Sequence, residues 1–185
     1  MDATKLLETQ HEEVKQLFEK LESQGSEPDA LLFEELAKNL VAHDAIEREI
    51  FYPACQKAMG MTHLLAESLV EHGYVEFGLY QADLALGEDS FEAKCSVLKE
   101  MVLHHVAEEQ DEFFPEVRAA IEPKQLEELG KLMQTRFEEV KRSDVRALTR
   151  ANLLQVMSGA LKTDPAKMPS KGAANGKSAE RSVTR

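Results

Sequence analysis

The chain has 185 residues, with 22 Lys and Arg against 34 Asp and Glu, so its formal net charge at pH 7 is −12. This length favours one domain with a real core, and a hydrophobic content of 43% is too high for a wholly disordered chain. The acidity excludes nucleic acid as an expected partner, because phosphates would be repelled. The longest apolar run, Ala30–Phe33, cannot span a bilayer, and no signal peptide is recognisable. We therefore expect a cytoplasmic protein that binds neither nucleic acid nor membrane.

Apolar residues recur at helical spacing through most of the sequence, and no alternating strand pattern of useful length is present. The spacing predicts helices over Thr4–Ser23, from Ala30 to about Tyr52, from His63 to about Leu86, from Asp89 or Ser90 to about Ala120, and over Lys124–Lys141. We expect Pro53 and Pro115 to kink or end their helices. The predicted fold class is all-α, an antiparallel four-helix bundle with an additional C-terminal helix and a disordered tail.

Three segments differ in composition. Residues 1–142 form the bundle and include the helix after Pro123. Residues 143–162 are a weakly helical extension. Residues 163–185 carry five Lys or Arg against Asp164 and Glu180, which gives +3, and almost no large apolar residues. This basic tail is predicted to be disordered, and a role as a tether to an acidic partner is the alternative; no protein partner can be named.

One motif occurs twice. The segment from His43 to Pro53 reappears as His105 to Pro115 at an offset of 62, sharing His, Ala, Glu, Phe and Pro. A lone histidine precedes each copy, His11 in the first half and His72 in the second, at an offset of 61. The chain therefore consists of two helix-hairpin halves, each with one lone His and one His-x-x-x-Glu.

Helical periodicity directs these six side chains towards the core. Residues four apart share a helix face, so His43 pairs with Glu47 and His105 with Glu109, each within an apolar stripe. His11 and His72 lie in apolar stripes of their own helices. Four helices thus direct an imidazole inward, and two of them add a carboxylate.

These groups together favour a metal site over isolated core histidines. A buried charge without a partner costs roughly 3–5 kcal/mol, and six converging groups are hard to satisfy without a cation. Imidazole and carboxylate donors without thiolate suit iron or manganese, with zinc as an alternative. Because one Glu comes from each half, Glu47 and Glu109 can bridge two ions. We interpret the motif as a dinuclear site.

The paired motifs resemble the hemerythrin-like, or HHE cation-binding, family over roughly Leu6–Ala120. The resemblance implies a four-helix bundle with two non-haem iron ions, oxo- or hydroxo-bridged and carboxylate-bridged. In this resemblance, His11, His43, His72 and His105 match terminal ligands, and Glu47 and Glu109 match bridging carboxylates. Oxygen-carrying hemerythrins have a fifth His one turn after the third-helix His, where this chain has Glu76. Glu76 is either a further ligand, which would disfavour reversible O₂ carriage, or a residue around the site.

The remaining candidates have simpler interpretations. His63 and His104 are out of phase with the inward faces and are predicted to lie at the surface. Glu108 either orients a ligand imidazole or is an ordinary surface acid. Cys55 and Cys95 are predicted to be packed thiols. The aromatic residues near each proline are predicted to pack in the core at one end of the bundle: Phe51, Tyr52, Phe113 and Phe114.

The function predicted from these features is reaction with a small molecule, O₂, NO or H₂O₂, in handling or sensing oxidative or nitrosative stress. Whether the protein is an enzyme stays open, with a di-iron oxidoreductase acting on peroxide or NO as the candidate. A non-catalytic oxygen or iron sensor, or an interaction module, is the alternative from another class. Iron storage or delivery is a third hypothesis.

Overall fold

A computed structural model describes residues 1–24 and 29–157, which form six helical rods and, within these ranges, no strand. Two of the rods contain a short π-helical segment. The α-helices are α1 (Ala3–Ser23), α2 (Ala30–Ile46), α3 (Tyr52–Met59), α4 (His63–Leu84), α5 (Phe91–Glu108), α6 (Phe114–Ala120), α7 (Pro123–Lys141) and α8 (Val145–Met157). The predicted all-α helical bundle is confirmed.

Four of the helices begin at a side-chain cap, including α8, where the Asp144 carboxylate accepts a hydrogen bond from the Ala147 amide. The carboxylate of Asp2 accepts a hydrogen bond from the Lys5 amide at the start of α1, and Asp29 accepts one from Leu31 at the start of α2. The Thr62 hydroxyl accepts one from Leu65 before α4. These contacts satisfy amides that have no partner within the helix, so the sequence fixes where these helices begin.

Two π-helical segments, Glu47–Phe51 and Glu109–Phe113, precede the prolines that were expected to kink or end their helices. Pro53 and Pro115 each lie in the first turn of the following helix, α3 and α6. A proline cannot donate to the carbonyl four residues back and collides with it, and the wider π turn accommodates this. The helices therefore continue beyond the prolines, to Met59 and Ala120.

The core lies between α1, α2, α4 and α5, and the C-terminal helices cover it from outside. Helix α7 packs against α1 and α2, and α8 packs against α4 and α2. The aromatic residues expected in the core are fully or almost fully buried: Phe51, Tyr52, Phe113 and Phe114. Cys55 and Cys95 are buried and free, as predicted.

The predicted extension at 143–162 contains α8, and the positions after 157 lie outside the described residues, as does the predicted basic tail. Among the described residues, no helix is long and apolar enough to cross a membrane.

Helix α7 contacts the backbone of the N-terminus at Gly130. A Cβ atom at this position would lie 2.5 Å from the carbonyl oxygen of Met1 and 3.0 Å from the amide nitrogen of Ala3. Both are backbone atoms that cannot rotate away, so the close approach of α7 to the start of α1 requires glycine.

We therefore expect Gly130→Ala to lower the free energy of unfolding by about 1–3 kcal/mol through overpacking, although alanine gains about 1 kcal/mol of helix propensity. Gly78→Ala is the matched control, because its nearest atom is the flexible Leu98 Cδ1 at 3.3 Å. Denaturant unfolding of both variants measures the difference. Equal stability of Gly130→Ala and the wild type would contradict the proposed packing.

Candidate metal centre

Four imidazoles and two carboxylates converge inside the bundle. Each imidazole comes from a different helix of the core, and each carboxylate begins a π-helical segment. All six residues are at most 8% exposed. They are His11 of α1, His43 of α2, His72 of α4, His105 of α5, Glu47 and Glu109.

The first group of donors consists of His11, His43, Glu47 and Glu109. The two Nε2 atoms of His11 and His43 are 3.1 Å apart. Glu47 Oε2 lies 3.1 Å from His43 Nε2, and Glu109 Oε2 lies 3.5 Å from His11 Nε2. Four buried donor atoms thus surround one point.

The second group consists of His72, His105 and again Glu47. The Nε2 atoms of the two histidines are 3.1 Å apart, and Glu47 Oε2 is 3.2 Å from that of His72. Glu109 Oε2 also reaches this side, at 3.6 Å from His105 Nε2. Both carboxylates therefore stand between the two histidine pairs, the arrangement that a bridging ligand requires.

The outer nitrogen of each imidazole has a polar partner on another helix. His43 Nδ1 lies 2.9 Å from Gln10 Oε1, His72 Nδ1 2.7 Å from Asp44 Oδ1, and His105 Nδ1 2.8 Å from Glu71 Oε2. Because these oxygens can only accept, the three rings carry their proton on Nδ1. Their Nε2 lone pairs then point into the centre, the tautomer that binds metal.

The contact of His11 differs, since its Nδ1 lies 3.0 Å from the amide nitrogen, Nε2, of Gln110. This amide can present either its oxygen or its NH₂ group to the ring. Sequence reasoning did not find these four partners. Each follows or precedes a ligand candidate directly in sequence, but the ring that it contacts belongs to another helix.

The inward-facing atoms lack the hydrogen-bond donors that a metal-free interior would need. Among the described residues, no hydrogen bond reaches either oxygen of Glu47 or the Oε2 atom of Glu109, although all three atoms are buried. Leaving such groups unpaired costs free energy, and the two Nε2 atoms of each histidine pair are only 3.1 Å apart. A cation among these atoms removes that cost, so the residues present fit a metal centre.

Tyr52 is a further polar group in the centre, where the sequence predicted only an aromatic core residue. Its hydroxyl donates a hydrogen bond to Glu109 Oε1 at 2.9 Å and lies 2.8 Å from His72 Nε2. The side chain is fully buried. Burial and the neighbouring Glu109 raise the pKa of Tyr52 well above its usual range, so the phenol keeps its proton. The equivalent position of the second half holds Phe114, which gave no signal for this role.

The buried carboxylates of the centre favour binding of a positive charge. Burial, and then the nearby His43, lower the pKa of His11 to about 3, so this ring is neutral. Burial and the neighbouring Glu47 raise the pKa of Glu109 to about 7. Burial alone would lower the pKa of His72, but the Asp44 and Glu47 carboxylates beside its two nitrogens raise it to about 10, so without a metal ion this ring takes up a second proton. The enclosed carboxylates thus attract whatever cation is available, a proton or a metal ion.

Glu76 is buried but is not brought into either group of donors. It lines a cavity beside the four histidines, close to the Asp44 carboxylate and the Arg48 guanidinium, and it contacts the Thr149 hydroxyl of α8. Burial, followed by repulsion from Asp44, raises the pKa of Glu76 to about 8. This geometry matches a residue around the site.

The cavity has a volume of about 30 Å³ and an otherwise largely apolar wall. Besides the histidines, Asp44 and Glu76, its lining consists of Val14, Leu40, Val75, Leu79, Val102 and Val106. A single water needs roughly 10–15 Å³ on this measure. The space therefore accommodates two or three heavy atoms.

The other histidines lie at the surface, as the sequence predicted. The side chain of His63 is 89% exposed and that of His104 is 65% exposed. Glu108 contacts His104 at 3.4 Å. The carboxylate that orients His105 is Glu71, whose pKa is lowered by that hydrogen bond although burial raises it.

The comparisons with known proteins agree with this geometry. Residues 2–117 match the model of the hemerythrin HHE cation-binding domain. The chain is similar to a crystal structure of a hemerythrin HHE cation binding domain-containing protein from Mycobacterium kansasii, with 27% identity and a TM-score of 0.66. That similarity covers 86% of this chain and 99% of the other. No match is found among curated proteins.

The raised pKa of Glu76 gives a pH prediction. The folded chain holds a proton on Glu76 up to about pH 8, whereas an unfolded chain releases it near pH 4.3. Folding stability is therefore lost as pH rises between these values, by about 1.4 kcal/mol per pH unit at most. Glu76→Gln removes this loss, so we expect the variant to gain stability relative to wild type between pH 5 and pH 8.

Denaturant unfolding of both proteins at the two pH values measures this gain. A stability difference that does not change with pH would contradict a protonated Glu76.

Proposed function

This chain belongs to the hemerythrin HHE cation-binding domain family, and we propose that it is a non-haem di-iron protein that reacts with a small molecule, O₂, NO or H₂O₂. In this proposal the four histidines are terminal ligands and Glu47 and Glu109 are bridging ligands. Glu76 is left out of the ligand set, because it does not join either group of donors. The observation that carries the proposal is the shared position of Glu47, whose unpaired Oε2 faces both histidine pairs.

The chemistry of the donors supports iron. Imidazole nitrogen and carboxylate oxygen without thiolate suit iron or manganese better than a soft metal. Both cysteines lie outside the donor groups. Two donor groups that share a carboxylate suit two ions at the separation of about 3.5–4 Å found in two-metal sites.

When bound, a ferrous pair would supply two electrons to the small molecule. The chain's contribution is to select and enclose that molecule. The cavity of about 30 Å³ supports a diatomic molecule or a peroxide, because organic substrates are larger. Apolar side chains form most of its wall, and electrostatic interactions are stronger in such surroundings than in bulk water.

Tyr52 is the residue that would hold a proton for this reaction. Its Oη donates to Glu109 Oε1 and lies beside His72 Nε2. The high pKa of the phenol keeps the proton on Oη at neutral pH. A reduced oxygen or peroxide molecule needs protons, and in a buried centre a positioned donor is required to supply them.

We expect the iron-loaded wild type to contain two irons per chain and Glu47→Ala to contain almost none, because this change removes a donor from both groups. His63→Ala is the matched control, since that imidazole also pairs with a glutamate four residues on but is exposed. Elemental analysis and the visible spectrum measure iron. The wild type and the control should also consume H₂O₂ or NO, and Glu47→Ala should not.

Zinc alone in protein produced with ample iron would contradict the di-iron proposal. Two irons without turnover of O₂, NO or H₂O₂ would instead favour the sensor or iron-storage alternatives.

We expect Tyr52→Phe to keep two irons but to slow oxidation of the ferrous centre by H₂O₂ by about 100-fold, the scale of a lost general acid. The exposed Tyr74 provides the control, Tyr74→Phe, which should react at the wild-type rate. Stopped-flow absorbance of the iron-loaded proteins measures both. A wild-type rate in Tyr52→Phe would remove this tyrosine from the proposed reaction.

A further inference from the structure

The two histidine pairs have different outer partners. His43 and His11 face the side-chain amides of Gln10 and Gln110, at 2.9 and 3.0 Å. An amide is a neutral partner, so these two rings keep the donor strength of an ordinary hydrogen-bonded imidazole. The first pair therefore has a neutral amide directly behind each ring.

The second pair has carboxylates in the same places. His72 Nδ1 is 2.7 Å from Asp44 and His105 Nδ1 is 2.8 Å from Glu71. Asp44 is also paired with Arg48 Nε at 2.8 Å, which offsets part of its charge. Within residues 1–24 and 29–157, Glu71 has no Lys or Arg partner at short range, and besides His105 it contacts only the exposed His104, at 3.6 Å.

A carboxylate acceptor changes the imidazole that donates to it. It draws the Nδ1 proton outward, raises the electron density on Nε2, and so strengthens the bond that Nε2 makes to a metal ion. Its negative charge also attracts the ion directly, and Glu71 is only partly exposed, with 19% of its side chain accessible, so water screens it incompletely. Both effects act on the second pair alone.

We propose that the two metal positions are unequal: the position bounded by His72 and His105 holds its ion more tightly than the position bounded by His11 and His43, and Glu71 is a positioning residue for this difference. The proposal rests on the di-iron function above. The asymmetry comes from the residues that surround the centre, because the six inward-facing donor residues are matched between the two halves.

The repeat supplies a reciprocal pair of variants. Gln10 and Glu71 each directly precede the lone histidine of their half, at the same offset of 61 that relates His11 to His72. Each contacts the Nδ1 atom of the second histidine in its half. Glu71→Gln therefore gives the second half the amide of the first, and Gln10→Glu gives the first half the carboxylate of the second.

The test is the release of iron from the full-length, iron-loaded protein to a coloured ferrous chelator under anaerobic reducing conditions. We expect the wild type to release its two ions in two phases of equal amplitude. Glu71→Gln should accelerate the slow phase by about tenfold or more, and Gln10→Glu should retard the fast phase by a similar factor. Glu108→Gln is the control for charge, because Glu108 contacts the exposed His104.

Several outcomes would overturn the proposal: a single release phase in wild type, an unchanged slow phase in Glu71→Gln, or an equal effect of Glu108→Gln. If circular dichroism shows that Glu71→Gln folds poorly, the test rests on Gln10→Glu. A slower fast phase in that variant supports the proposal, and an unchanged fast phase contradicts it. Iron content is measured before release. Fewer than two ions per chain contradicts the di-iron function itself, whereas two ions with equal release rates contradict only the asymmetry.

Discussion

The need to compensate two buried carboxylates determines the interior of this protein. Glu47 and Glu109 are almost completely buried, and three of their four oxygens receive no hydrogen bond. Three of the four imidazoles around them can direct an Nε2 lone pair inward, because their outer nitrogens lie beside oxygen acceptors. Such an arrangement is unfavourable by itself and favourable around a cation. Membership of a cation-binding family is the simplest reason for a core built this way.

The local geometry of the helices places these donors in the centre. Glu47 and Glu109 each stand where an α-helix passes into a π-helical segment, and a proline follows in the next turn. The extra backbone width changes which residues face inward after that point. As a result each Glu, the two aromatic residues after it and the aliphatic residues before it all face the core. No single helical period predicts this pattern. π-Helical turns are often found at functional sites for this reason.

The sequence was sufficient to predict that six donor side chains point inward, but it was not sufficient to predict the residues that contact them. The spacing of His43 to Glu47, and of the apolar residues beside them, is a property of one helix, so periodicity predicts which way they point. The contact of Gln10 with His43, or of Asp44 with His72, depends on how two helices are rotated against each other. The polar contacts of Tyr52 were not predicted, because its aromatic ring fits the pattern of an ordinary core residue. The π-helical turns were missed because proline predicts a break and does not specify how the chain accommodates it.

The duplicated halves agree in their donors and differ in almost every group that touches those donors. Where the first half has Tyr52, whose hydroxyl reaches His72, the second has Phe114, which stacks on His11 with the rings 6.0 Å apart. The matched donors make the two sides of the candidate metal centre alike. Any difference between the two sides comes from the residues around the donors. The hydroxyl and the carboxylates lie on the same side, around His72 and His105. The centre therefore has a polar side at His72 and His105 and a less polar side at His11, where Phe114 lies against the ring.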